Sequence, residues 1–158
     1  MTRTTLALLA VLTIASCQQP SSLTQTEKAR IVGEVRQALD NYCTAVRRSG
    51  LTAEFQYLDN SSEFYWTPPG YTMAISYDSV AAILNRNARN FKSVVNSFDT
   101  LRVTPLSEEY ATYTGRLTSR MTDTLGQTTT FTLVETGIVV RREEGWKLLS
   151  GQTSILNK

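Results

Sequence analysis

The side chains able to do chemistry in this 158-residue chain are narrowed by an absence, since it contains no histidine. Ser-His-Asp and Cys-His nucleophile pairs are excluded, together with every metal site that depends on imidazole. Acid–base work is left to carboxylates, hydroxyls, phenols and the thiol of Cys43. Glu135 stands out because it is in phase, at the two-residue period of a strand, with Phe131, Leu133 and Val139. If that face lines a cavity, loss of water raises its pKa and suits it to act as a general acid or base. If it lies on the wet face, or beside Arg116, Arg120 or Arg141 of a neighbouring strand, it is an ordinary ion-pair partner, and that is the arrangement expected here. Tyr42 falls on the apolar stripe of a helix, where a phenol either fills core with its hydroxyl at the rim or lines a pocket. Cys43 beside it reads as a small buried apolar group, because no histidine and no nearby lysine lowers its pKa.

A different chemistry is written at the N-terminus. Arg3, an apolar run from Leu6 to Ile14, and the small residues Ala15 and Ser16 precede Cys17. This is the architecture of a secretory signal, and the run falls short of the ~20 apolar residues that span a bilayer. Ile14-Ala15-Ser16-Cys17 resembles the bacterial lipobox, which implies removal of residues 1–16 and acylation of Cys17. Two or more acyl chains make a stable membrane anchor where one is reversible. By the same resemblance, Gln18 after the cysteine implies the cell envelope, facing the periplasm from the outer membrane in a Gram-negative host. Residues 17–26 are then the lipidated cysteine and a flexible Gln/Ser/Thr/Pro tether, and 27–158 form one domain. With Cys17 taken by lipid and Cys43 alone, no disulfide is expected. The charge, 16 − 14 = +2 without runs, offers no footprint for nucleic acid. No metal and no cofactor is expected.

The elements that must position these groups follow from periodicity and punctuation. Thr24-Gln25-Thr26-Glu27 fits a capping box, opening a helix that runs to about Arg48. Its stripe is Ile31, Val32, Val35, Ala38, Leu39, Tyr42, Cys43 and Val46, and Gly50 stops it. A short second helix is predicted over 52–58, an aromatic strand over 63–67, and a returning strand over 71–75 after Pro68-Pro69-Gly70. Asp78 or Ser79 should cap a third helix that buries Val80, Ile83, Leu84, Ala88 and Phe91. Strands are predicted over 94–104, 109–122, 128–142 and 146–156, joined by turns short enough for an antiparallel meander. Ala111, Tyr113, Gly115, Leu117 and Met121 share one face of their strand, and Thr112, Thr114, Arg116, Thr118 and Arg120 the other. Helices first and a meander after make the class α+β, with the apolar face of the sheet covered by the first and third helices.

Three stretches then carry a family resemblance. They are the end of the first helix (Tyr42-Cys43-Thr44-Ala45-Val46), the aromatic strand with its turn (Phe64-Tyr65-Trp66-Thr67-Pro68-Pro69-Gly70), and the last hairpin, Val139 to Leu149 with its Glu143-Glu144-Gly145-Trp146 turn. Together they resemble the nuclear transport factor 2-like superfamily, which includes SnoaL-like cyclases and ketosteroid isomerase. The resemblance implies a cone-shaped, curved antiparallel sheet wrapped around about three N-terminal helices, with a mostly apolar pocket at the open end. It implies that Tyr42 stands where the isomerase keeps a hydrogen-bond-donating tyrosine, and that Glu135 corresponds to its second donor. The isomerase's basic aspartate corresponds to Thr67, whose hydroxyl is far too weak a base. Ser150 and Gln152 occupy positions where several relatives keep histidine.

Isomerase or cyclase chemistry is therefore not carried over. The pocket candidates are Tyr42, Tyr65, Thr67, Tyr113, Glu135, Ser150 and Gln152, with Phe64, Trp66 and Trp146 read as core. The resulting expectation is an envelope lipoprotein whose domain binds a small apolar ligand or a partner without catalysis. The alternatives are a small isomerase or lyase using Tyr42 and Glu135, and an interaction scaffold using the Thr- and Arg-rich sheet face. The resemblance also implies a possible homodimer through the sheet.

Overall fold

The computed structural model describes residues 22–157, so the signal segment and Cys17 lie outside the described residues. Helix α1 (Gln25–Ser49) begins where the capping box predicts. The Thr24 hydroxyl accepts from the Glu27 amide at 3.2 Å, and the Thr24 amide donates to Glu27 Oε2 at 2.6 Å. Ile31, Val35, Leu39, Tyr42, Cys43 and Val46 are buried, with Val32 and Ala38 partly so. This stripe packs chiefly against strand β2 (Phe91–Pro105). Gly50, at φ 79°, ends the helix in a conformation that a side chain resists.

Four departures from the sequence expectations have local causes. The segment after Gly50 is a tighter 3-10 helix, Leu51–Gln56, instead of a helix over 52–58. It gives way at Leu58, which bridges to Leu148 and draws the chain onto the sheet. The returning strand over 71–75 shrinks to a single bridge, in which Trp66 and Ile75 exchange backbone hydrogen bonds of 3.0 and 2.8 Å. Helix α2 (Tyr77–Ala88) is capped by Ser76, whose hydroxyl accepts from the Ser79 amide, and not by Asp78 or Ser79. Val80 and Leu84 are its buried positions, while Phe91 opens β2 three residues before the predicted start.

Strands β2, β3 (Tyr110–Asp123), β4 (Thr128–Arg142) and β5 (Gly145–Asn157) form the antiparallel meander. The short strand β1 (Tyr65–Thr67) adds to β5 in parallel, so the order is β1-β5-β4-β3-β2 and the sheet is mixed, not wholly antiparallel. Register shifts at Phe91/Ser93, Phe98/Thr100, Thr132/Leu133 and Ile138/Val139 bend and twist the strands, because a bulge puts two residues opposite one. The sheet curves round α1 accordingly. Gly137 and Gly151 are paired on its inner face, where the Trp66 ring lies directly over them. A Cβ at Gly151 would fall 2.7 Å from that ring, so glycine is what lets the indole sit against the backbone. Ala111, Tyr113, Gly115 and Leu117 face inward, and Thr114, Arg116 and Arg120 face solvent.

Candidate functional site

A cavity of about 230 Å³ opens between α2, the 3-10 helix, β1 and the inner face of the sheet. Its walls are largely apolar, built from Leu51, Leu58, Phe64, Trp66, Val80, Leu84, Leu117, Leu133 and Leu148. Seven polar side chains interrupt them: Tyr42, Glu54, Asn87, Asn96, Ser119, Glu135 and Thr153. Among the described residues, no lysine or arginine lines it. Phe64 and Trp66 thus serve as core and wall at once, while Trp146 lies in the core with its indole donating to Glu34 at 3.1 Å.

Glu135 is the centre of this site. It is 5% exposed, on the inner face opposite Gly115, whose missing side chain lets the Phe98 ring pack against the backbone there. Tyr113 O–H donates to its Oε1 at 2.7 Å and Thr153 O–H to its Oε2 at 3.1 Å. The indole N–H of Trp66 donates to Thr153 Oγ1 at 3.1 Å. Because an indole can only donate, the hydroxyl proton of Thr153 is turned toward the carboxyl, and both Glu135 oxygens act as acceptors. Burial nevertheless raises the Glu135 pKa, with these two donors opposing. The ion pair expected with Arg116, Arg120 or Arg141 does not form. Arg116 faces out to Asp99, and Arg141 pairs with Glu34, since the strand phase that groups Glu135 with Leu133 and Val139 is the inward one.

A second carboxyl belongs to the same cavity. Burial and the charge of Glu135 push Glu54 up to about 8, against the opposing effect of the nearby Tyr42 hydroxyl. Burial also holds the Tyr42 and Tyr113 phenols well above their ordinary range, with the neighbouring carboxylates adding to it. Cys43 is buried and free, and its thiol is pushed up to about 12 by burial first and Glu135 second. That makes it an inert packing group, because only the thiolate is nucleophilic. Asn96 presents a buried amide oxygen with no hydrogen-bond partner.

The candidates read from the sequence divide cleanly. Tyr42 and Glu135 line the cavity, and Tyr113 stands behind the wall and holds Glu135. Tyr65 does not line it. With Trp66 turned inward, strand alternation sends Tyr65 (52% exposed) and Thr67 to the other face. Ser150 and Gln152 do not line it either. Counting by twos from the inward Leu148 would bring both in, but Val139 pairs with Leu148 and Ile138 with Ser150, so Leu149 is an extra, bulged residue. The phase flips there, and Gly151 and Thr153 take the inner face.

Five polar lining residues were not among the candidates, Asn87 of α2 being one of them. Glu54 sits three residues after Leu51 and four before Leu58, a helical spacing that marks an acid on an apolar face. Asn96 and Ser119 lie in phase with Val94 and Phe98, and with Leu117 and Met121. Thr153 could not be found without knowing the bulge.

Fold and pocket together define a class: a curved sheet closed over helices, with an acidic group at the bottom of an apolar cavity. The family model of the SnoaL-like domain matches residues 35–158, and the chain belongs to that family. Among solved structures it is similar to a nuclear transport factor 2-like superfamily protein from Salmonella enterica serovar Typhimurium, with a TM-score of 0.69 and 15% identity over 82% of this chain and 94% of that one. It is also similar to a Novosphingobium aromaticivorans protein provisionally assigned as a scytalone dehydratase, with a TM-score of 0.74 and 9% identity over 85% and 89% of the two chains. A third is the hexachlorocyclohexane dehydrochlorinase LinA-type3 of Novosphingobium barchaimii, with a TM-score of 0.66 and 12% identity over 85% and 92%. At such identities these likenesses speak to the fold alone. No curated protein sequence matches the chain.

Proposed function

We propose that this protein is a lipid-anchored component of the bacterial cell envelope whose SnoaL-like domain holds a small, mostly apolar molecule without transforming it. The observation that carries the binding reading is the apolar cavity of about 230 Å³ with a fixed carboxyl acceptor in its wall. Concave, apolar sites with a few converging polar groups are where small ligands are held. The absence of histidine from the chain supports binding over proton-transfer chemistry. The anchoring rests on Ile14-Ala15-Ser16-Cys17.

Two experiments test it. Calorimetric titration of benzyl alcohol into the purified protein should give saturable binding that Leu84→Trp, which fills the cavity, abolishes. Binding that survives this change would place the ligand elsewhere. For the anchor, membrane fractionation of cells expressing Cys17→Ala should move the protein to the soluble fraction. Retention in the membrane would contradict lipidation.

A second reading is favoured by one observation: Tyr42, Glu54 and Glu135 line one cavity, and Glu54 is held near 8, where a carboxyl keeps its proton at neutral pH and can serve as a general acid. Steady isomerisation or elimination on a ketosteroid or epoxide substrate, lost in both Tyr42→Phe and Glu135→Gln, would replace the binding reading with an enzymatic one.

A further inference from the structure

We propose that the pocket selects compact apolar molecules that carry a protonated amine. This deepens the binding reading above and rests on it. A carboxylate offers about four lone-pair sites, and Tyr113 and Thr153 occupy two of those on Glu135. The Trp66 indole fixes the direction of the Thr153 proton, so the capacity left on Glu135 toward the cavity is for accepting. Whatever meets it must donate.

Charge narrows the donor further. Buried charges in proteins are paired, yet among the described residues no lysine or arginine lines this cavity. Three arginines of the sheet are engaged outside it, Arg142 with Asp59, Arg141 with Glu34 and Arg116 with Asp99, and Arg102 and Arg120 are exposed to solvent. Every titratable group packed around Glu135 is neutral or negative: Tyr42 and Cys43 from α1, Glu54 from the 3-10 helix, and Tyr113 from β3. The groups contributed by α2, β1, β2 and β5, including Asn87, Trp66, Asn96 and Thr153, carry no charge. The cavity therefore has two acids and no counter-ion, inside walls whose low polarity strengthens any ion pair formed there. An ammonium supplies both the donors and the missing charge. A carboxylic acid brings like charge, and an alcohol brings a donor only. The volume, below the ~300–1,000 Å³ of drug-sized sites, suits one ring or a short chain.

Binding of the amine must be coupled to proton loss, because Glu54, pushed up to about 8, has to ionise to meet it. Amine affinity should rise with pH through the region near 8, up to the point where the amine itself loses its proton, while affinity for a neutral molecule stays flat.

The test is calorimetric titration of benzylamine, benzyl alcohol and benzoate, three probes of nearly one shape, into the purified full chain at about pH 8. Benzylamine is expected to bind about tenfold or more tighter than benzyl alcohol, a difference of about 1.4 kcal/mol, with proton release, and benzoate should not bind. Glu135→Gln should lower amine affinity about tenfold and alcohol affinity much less. Where that variant does not fold, Glu54→Gln should flatten the pH dependence of amine binding. Alcohol binding as tightly as the amine, or amine binding unmoved in a folded variant, overturns the amine preference and leaves the pocket reading intact. Silence from all three probes overturns both.

Discussion

Asp59 and Glu135 are equally buried, each 5% exposed, and the molecule treats them in opposite ways. Asp59 is gripped by Arg142 through Nε at 2.7 Å and Nη2 at 2.8 Å, and by the Ser61 hydroxyl at 2.6 Å. The Arg142 hydrogen bonds hold its pKa below the ordinary range in spite of burial. Its own amide donates to Leu148 O at 2.8 Å, so the ion pair fastens the loop after the 3-10 helix to the end of the β4–β5 hairpin. Glu135 has two neutral donors and no cation, and burial raises its pKa. A buried carboxylate with a bidentate arginine is a completed structural joint. One with neutral donors beside a cavity keeps electrostatic capacity that the fold leaves unspent, and it is this difference that separates the joint from the candidate site.

The largest effect should come from breaking the joint. Arg142→Met leaves Asp59 buried and unpaired, at an expected cost of about 2–3 kcal/mol in denaturant unfolding at neutral pH, below the full range for buried pairs because Arg142 is partly exposed. Asp59 contributes stability that is present above its ordinary pKa and lost as pH falls through its lower folded value. The variant should therefore lose that acid-side dependence.

Next comes the cavity. Glu54 and Glu135 have raised pKa values, so the folded state holds their protons longer and stability falls as pH rises from the ordinary carboxylate range toward about 8. The double variant Glu54→Gln, Glu135→Gln should remove that fall and be more stable than the parent by about 2 kcal/mol at alkaline pH, after allowance for relaxation around the partly exposed Glu54. Thermal unfolding across pH reads both slopes, which should have opposite signs.

Smaller still, Thr153→Val leaves the Trp66 N–H without its partner and takes one donor from Glu135. Its expected cost is about 1 kcal/mol, with the alkaline-side fall made steeper. The smallest effect is on the exposed pair Arg116–Asp99, at 3.6 Å, where Arg116→Ala should change stability by no more than about 0.5 kcal/mol. A large loss there would undo the distinction between burial and exposure on which the comparison rests.

Elements with a repeated pattern were readable from the sequence, and sites that depend on a single irregularity were not. The capping box at Thr24 and Glu27, the stripe from Ile31 to Val46 and the meander stand where periodicity put them. The inward phase of Glu135 was visible beside Leu133 and Val139, but which face of the strand was inward depended on the whole sheet. Ser150 and Gln152 failed for a different reason. One bulged residue, Leu149, inverts the alternation, and nothing local in Leu148-Leu149-Ser150 announces it. Likewise the place of β1 beside β5 comes from a parallel pairing across more than eighty residues, which no short-range pattern encodes.

The central claim is that Asp59 is a compensated buried charge and Glu135 an uncompensated one. Carbon-13 NMR titration of the side-chain carboxyls tests it most directly. The account predicts Asp59 titrating below 3.8 and both Glu135 and Glu54 above 4.5. Glu135 titrating at or below the ordinary glutamate value would contradict it.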